Sequence, residues 1–164
     1  MTVKFIAICA LGLNREIGLN GKLPWDIPDE YSHYKKTVSG QHVLIGRKNF
    51  ELNKGDFPDS FPIVLSRNPE FEAAGAVVLT SMKEVVEYAT ENKIEVIYVI
   101  GGASVYELTL PYLSEFLCSV VDYEGAADTY FPHYMSYEWE VRSSDVHDKW
   151  TLYHMIKRPD FGIG

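Results

Sequence analysis

A carboxylate and an aromatic ring stand four residues apart, Glu30 and Tyr34, just behind two prolines and a tryptophan in the stretch LPWDIPDE, 23–30. Pro28 suits the first position of a helix, because its fixed φ is already helical and its missing N–H would have no partner there. The pattern predicts a helix over 28–38, and the i, i+4 spacing puts Glu30 and Tyr34 on one face. Turned inward, Glu30 is a single acidic group in an apolar setting, able to hold the amidine-like edge of a heterocycle or to handle a proton. Turned outward, Asp29 and Glu30 would only complement the dipole of a helix's first turn, which on spacing alone is the commoner case.

Anion binding is the second chemistry the residue types allow. Gly46-Arg47-Lys48-Asn49 and Leu65-Ser66-Arg67 each close an apolar run. Together Arg47, Lys48, Ser66 and Arg67 could hold a phosphate ester at strand ends, although each taken singly is more often a solvated residue. Gly101-Gly102-Ala103-Ser104 joins a buried run to a helix and lets a pyrophosphate approach bare backbone. It is neither a GxGxxG fingerprint nor a P-loop. His33, His42, His133, His147 and His154 show no ligand spacing, so no metal is expected. Without a GxSxG elbow, Glu30 remains the acid/base candidate.

The elements that must position these groups follow from the apolar runs. Runs at 3–11, 42–46, 63–67, 76–79 and 95–100 read as short buried strands, the first continuous enough to be covered on both faces. Between the first strand and the Glu30 helix, 12–27 is rich in Gly, Asn and Pro and reads as a long loop. Ser81 caps a helix through about Thr90, with Met82, Val85, Val86 and Ala89 on one face. A helix from Ala103 to about Leu110 is ended by Pro111. FLCSVVDY is strand-like and EGAADTYFP a loop. The runs WEVRSSDVH and KWTLYHMIK, joined at Asp148-Lys149, form an antiparallel hairpin. Strands alternating with helices early and a hairpin late predict a single α/β domain: a mostly parallel twisted central sheet, a C-terminal antiparallel hairpin and flanking helices.

With 164 residues, 46% hydrophobic and 23% charged, the chain is long enough to bury a full core. Its formal charge of −8 disfavours nucleic acid and anionic membrane as partners, so any phosphate must be met by a local cation cluster. The two cysteines, Cys9 and Cys118, sit in separate apolar runs and read as buried free thiols, which fits a reducing compartment. The apolar start MTVKFIAICALGLNR is short for a spanning helix and reads as a strand, so a cytoplasmic location is expected.

Taken in order, the motifs resemble the dihydrofolate reductase family along nearly the whole chain. They are Ala10 in the first strand, Ile17-Gly18, Leu23-Pro24-Trp25, Pro28 with Glu30, Tyr34-Lys35, Ile45-Gly46-Arg47, Leu65-Ser66-Arg67, VIGG followed by Val105-Tyr106-Glu107, and Asp128 to Pro132. The resemblance implies hydride transfer from NADPH to a dihydropterin, with protonation of the adjacent ring nitrogen, feeding one-carbon and thymidylate metabolism. It also implies a monomer, with about 41–92 as an adenosine-binding subdomain. By the same resemblance Glu30 holds the amino-pyrimidine edge and promotes protonation, Ser119 supplies a hydroxyl beside it, and Trp25 fixes the loop near the site. Cys9, Ala10, Tyr31, Tyr34, Asn53, Ser60 and Ile100 complete the substrate side. Ala10, Ile17 and Tyr106 line the nicotinamide pocket, and Gly18, Leu23 and Thr129 also bind the cofactor. Gly101, Gly102 and Asn49 meet the pyrophosphate, Arg47, Lys48, Ser66 and Arg67 read the 2′-phosphate, and Gly46, Leu65, Ala103, Ser104 and Val105 complete the cofactor side. Residues 14–26 would be a lid supported by Asp128.

Five positions depart from the family pattern. Ser60 stands where an arginine usually grips the glutamate tail of folate, with Asp59 beside it. Tyr31 replaces an aliphatic residue or Phe, Leu52-Asn53 a Ser-Ile-like pair, and Asn49 a threonine. Two alternatives therefore stay open: a reductase of another pterin or related heterocycle with weakened tail recognition, and a pterin- or nucleotide-binding protein without turnover.

Overall fold

The computed structural model describes residues 2–53, 59–134 and 137–158; Phe57 and Pro58, from the segment before Ser60, fall outside that set. In chain order the elements are β1 (Lys4–Leu11), β2 (Glu16–Gly18), α1 (Pro28–Val38), β3 (His42–Gly46), α2 (Arg47–Leu52), β4 (Phe61–Leu65) and β5 (Val77–Leu79). There follow α3 (Met82–Glu91), β6 (Val96–Val99), α4 (Ala103–Thr109), β7 (Leu113–Val121), β8 (Thr129–Tyr130), β9 (Trp139–Val146) and β10 (Trp150–Lys157).

Eight strands form one sheet in the order β5-β4-β3-β6-β1-β7-β10-β9. Every pairing from β5 to β7 is parallel, and β10 and β9 add antiparallel at the end. Strand β1 is central and covered on both faces, which is why its sequence runs apolar without alternation. At the other extreme β9 is an exposed edge, and its charged Glu140, Arg142 and Asp145 discourage further pairing. The single α/β domain with a mostly parallel sheet and a C-terminal hairpin is as the sequence predicts.

Helix α1 spans the residues expected, with Pro28 at its start, Asp29 and Glu30 in the first turn and Lys35 and Lys36 in the last, so charge and dipole agree at both ends. It lies on the sheet through Val38, which packs with Ile8 of β1 and Val43 of β3. Burying each such side chain is worth roughly 1.5–3 kcal/mol, enough to fix the face that the helix turns inward. In α3 the hydroxyl of Ser81 accepts from the backbone N–H of Glu84 at 3.1 Å, the cap read from the sequence.

Three expectations need correction. The 12–27 loop contains a strand, β2, which pairs antiparallel with β8, itself inside the segment expected to be a loop. Three- and two-residue strands carry too little periodicity to be seen without their partner. The strand expected at 63–67 is Phe61–Leu65, which leaves Ser66 and Arg67 just beyond its carboxyl end. Pro111 does not stop α4 directly; that helix ends at Thr109 and Pro111 lies inside a 3-10 turn, Leu110–Tyr112, where a fixed φ is tolerated.

Candidate active site

The carboxyl ends of β1, β3 and β6 meet α1 and the starts of α2 and α4 around one cleft of about 650 Å³. Glu30 points into it and is only 4% exposed. Burial pushes its carboxyl above the ordinary range, and the neighbouring charge of Asp29 adds to that; a hydrogen bond from the Ser119 hydroxyl opposes both. Ser119 comes from β7, where it pairs in register with Ala10 of β1, so the hydroxyl and the carboxylate meet across the sheet edge. Tyr34, one turn after Glu30, lines the same cleft, which settles the inward orientation that spacing alone left open.

Much of the wall around the acid is apolar or neutral, with Lys22 and Asp26 the charged residues that also line the cleft. Burial raises the Cys9 thiol to about 12, so it is uncharged at neutral pH, and the Tyr106 hydroxyl donates to the Ile8 carbonyl at 2.7 Å. Cys9 faces Cys118 across the β1–β7 pairing, and both are free thiols. Trp25 stacks obliquely on Tyr123, with ring centroids 5.4 Å apart, and its Nε1 is buried with no hydrogen-bond partner among the described residues.

The far end of the cleft is backbone. Gly101 has a φ of +115°, which disfavours any side chain, and the Gly101-Gly102 peptide is cis. A Cβ on Gly102 would lie 2.6 Å from Nδ2 of Asn49, so α2 leans against bare backbone. The Gly46 N–H donates to the Gly101 carbonyl at 2.8 Å, tying the end of β3 to this turn. Because Gly46 and Leu65 are register partners, Arg47, Lys48, Ser66 and Arg67 gather at one corner. In it Lys48 and Arg67 are exposed, Arg47 pairs with Glu51 at 2.7 Å and lies over the Phe71 ring, and Ser66 is buried with its hydroxyl in a turn with Asn68.

A family model described as dihydrofolate reductase matches residues 4–156. The chain belongs to the dihydrofolate reductase family. It is 33% identical over 138 residues to the dihydrofolate reductase of Bacillus subtilis (strain 168), covering 84% of this chain and 81% of that protein. It is also 33% identical over 145 residues to dihydrofolate reductase type A13 of Escherichia coli, covering 88% and 87%. The solved dihydrofolate reductase from Enterococcus faecalis, complexed with NADP(H) and RAB-propyl, superposes with a TM-score of 0.85 over 97% of this chain and 100% of that one, at 26% identity.

Of the positions that the dihydrofolate reductase resemblance marked, the cleft wall holds Cys9, Ala10, Ile17, Gly18, Leu23, Trp25, Glu30, Tyr31, Tyr34, Asn49, Asn53, Ile100, Gly101, Gly102, Ala103, Tyr106 and Thr129. Ser119 stands behind Glu30 rather than on the wall. Gly46, Arg47, Lys48, Leu65, Ser66, Arg67, Ser104 and Val105 lie off the wall, most of them at the neighbouring strand ends, and Ser60 lies off it before β4. Ile8 and Lys22 line the cleft without having been singled out. Ile8 looks like any core residue of a buried strand, and Lys22 like any loop lysine; only the folded path of its segment along the cleft distinguishes it. Among the described residues no cluster of His, Cys, Asp and Glu could hold a metal ion.

Proposed function

We propose that this chain reduces 7,8-dihydrofolate to 5,6,7,8-tetrahydrofolate with NADPH, the reaction of its family. The observation that carries this is one buried carboxylate, Glu30, at one end of a cleft whose other end is bare glycine backbone beside a corner of cations.

The residues present fit such a cofactor. Gly101 and Gly102 present main chain with no Cβ, Asn49 offers an amide that can donate, and Lys48 and Arg67 leave exposed charge at the corner where a 2′-phosphate would be read. When bound, the nicotinamide supplies the hydride. Glu30, kept protonated to higher pH by its burial, holds the amino-pyrimidine edge and promotes protonation of the adjacent ring nitrogen, while Ser119 steadies its carboxylate. Tyr34 and Ile100 pack on the heterocycle; Ala10, Ile17 and Tyr106 border the nicotinamide side. Residues 14–26 act as a lid that excludes water, which strengthens every charge inside. Residues 41–92, which carry β3, β4 and β5, serve as the adenosine-binding part. The chain acts as a monomer, and its two free thiols fit a reducing cytoplasm.

A second reading concerns the tail of the substrate. Ser60 is off the cleft wall, and Asp59 beside it is exposed, so neither of these two residues offers a cation to a glutamate carboxylate. Losing one charge-assisted contact would cost roughly 1.5–3 kcal/mol of tail binding. The test is steady-state NADPH oxidation with dihydrofolate and with a tail-less dihydropterin side by side, repeated with NADH. Turnover of dihydrofolate with strong NADPH preference is the expected result, with little advantage over the tail-less compound. A large glutamate-dependent gain would sink the second reading, and turnover of neither substrate would sink the first.

A further inference from the structure

A second glutamate is buried more deeply than Glu30 and has no part in the chemistry above. Glu16, the first residue of β2, is 1% exposed. An apolar residue would fill this place at far lower desolvation cost, so the carboxylate calls for donors. Its Oε1 accepts from the Asn14 N–H at 2.7 Å and its Oε2 from the Gly125 N–H at 3.1 Å, across 109 residues of sequence. Gly12 closes over the group: a Cβ there would lie 2.5 Å from Oε1 and 2.8 Å from the Tyr123 carbonyl.

These bonds join two segments. One is the root of the residues read above as a lid, on which this inference rests; the other is the β7–β8 connection. Around the carboxylate the Leu13 N–H donates to the Tyr123 carbonyl at 2.9 Å and the Phe131 N–H to the Arg15 carbonyl at 2.8 Å. Farther along, Asp128 accepts from the Asn20 N–H at 2.9 Å. On the same connection the Tyr123 ring rests against Trp25 of the cleft.

We propose that Glu16 is a positioning residue: its carboxylate joins the root of the lid to the β7–β8 connection, so that Trp25 and Leu23 keep their places over the cleft. A carboxylate suits this better than an amide. Both of its oxygens accept, whereas a glutamine must turn an NH2 toward either Asn14 or Gly125, where only a donor waits.

The experiment compares Glu16→Gln and Gly12→Ala, singly and together, with the parent chain. Amide hydrogen exchange is read peptide by peptide, and hydride transfer is read in single turnovers with saturating NADPH and dihydrofolate. In Glu16→Gln, exchange should speed up together in 12–20 and 122–130 while β1 and β7 stay as in the parent. The hydride step should slow roughly tenfold or more, as loss of a charge-assisted hydrogen bond would allow, with the KM for dihydrofolate changed far less. Gly12→Ala, whose Cβ meets both this carboxylate and the Tyr123 carbonyl of the other segment, should reproduce both effects, and the double variant should add little to either. It also serves as the second route should Glu16→Gln fold poorly. Unchanged exchange in either segment, or faster exchange in both with an unchanged hydride step, would overturn the proposal. A parent chain that turned over no dihydrofolate would instead sink the functional reading, and the exchange pattern would still decide whether Glu16 joins the two segments.

Discussion

Glu16 and Glu30 both have buried side chains, yet their environments drive them in opposite directions. Burial pushes both carboxyls up. For Glu16 that push is outweighed by backbone N–H groups of its own residue, Gly125 and Asn14, and the group lies below its ordinary value. For Glu30 one hydroxyl, from Ser119, does not outweigh burial, and Asp29 adds repulsion, so the group lies above. A carboxylate met by several backbone donors is held ionised and can serve as a structural tie, whereas one met by a single hydroxyl is left to the push of burial and can carry a proton.

The largest effect should come from Glu30→Gln. Turnover should fall by roughly 10²–10⁴, the usual worth of a positioned proton-handling group, with NADPH affinity nearly unchanged. The same substitution should raise the melting temperature at neutral pH. Because the folded carboxyl titrates above the unfolded one, the folded chain binds the extra proton between the two values, and stability falls as pH rises through that window. The amide removes that loss. Full activity in the variant at neutral and higher pH would show that Glu30 has been given the wrong role.

Glu16 should show the reverse slope. Its folded carboxyl titrates below 4.5, so the unfolded chain takes the proton first and stability is lost as pH falls through that window. Acid unfolding of Glu16→Gln, followed by circular dichroism, should start from a lower stability at pH 7 and depend less on pH below 4.5. If the two glutamine variants shifted the acid limb alike, the distinction between the two carboxylates would fail.

At the other end of the cleft, Gly102→Ala tests whether cofactor and proton chemistry are separable. The added Cβ meets Asn49 at 2.6 Å, and overpacking of this kind typically costs about 1–3 kcal/mol. The expected result is a KM for NADPH raised roughly tenfold, with the pH midpoint of turnover unmoved because Glu30 keeps its own surroundings. A shifted midpoint would mean that the two ends are coupled.

How legible these features were in the sequence depended on how local their signal is. Helix α1 was readable to its bounds because Pro28 and the charge pattern mark its start and end within eleven residues. Strand β1 was readable because burial on both faces leaves an unbroken apolar run. The inward turn of Glu30 was not, since a first-turn acid looks the same facing solvent. Nor was Glu16: its donor Gly125 lies 109 residues away, and the β2–β8 pairing that brings them together leaves no periodic trace in either segment. Ser119 came into view only through the family resemblance, as one hydroxyl in a long strand.

The finest test of the comparison is Ser119→Ala, because it removes from Glu30 the kind of donor that Glu16 has in excess. The Ser119 hydroxyl draws the Glu30 carboxyl down, so its loss should let burial act unopposed and move the pH midpoint of turnover upward. Turnover near neutral pH should then change little, because a protonated Glu30 becomes more available, while stability at high pH should drop by about 1–3 kcal/mol as a buried charge loses its partner. The two readouts separate two roles for the hydroxyl. A midpoint that moves with turnover preserved makes Ser119 a tuner of the acid; an unmoved midpoint with turnover reduced would mean that it acts on the substrate instead, and that donor count is not what sets Glu30 apart from Glu16.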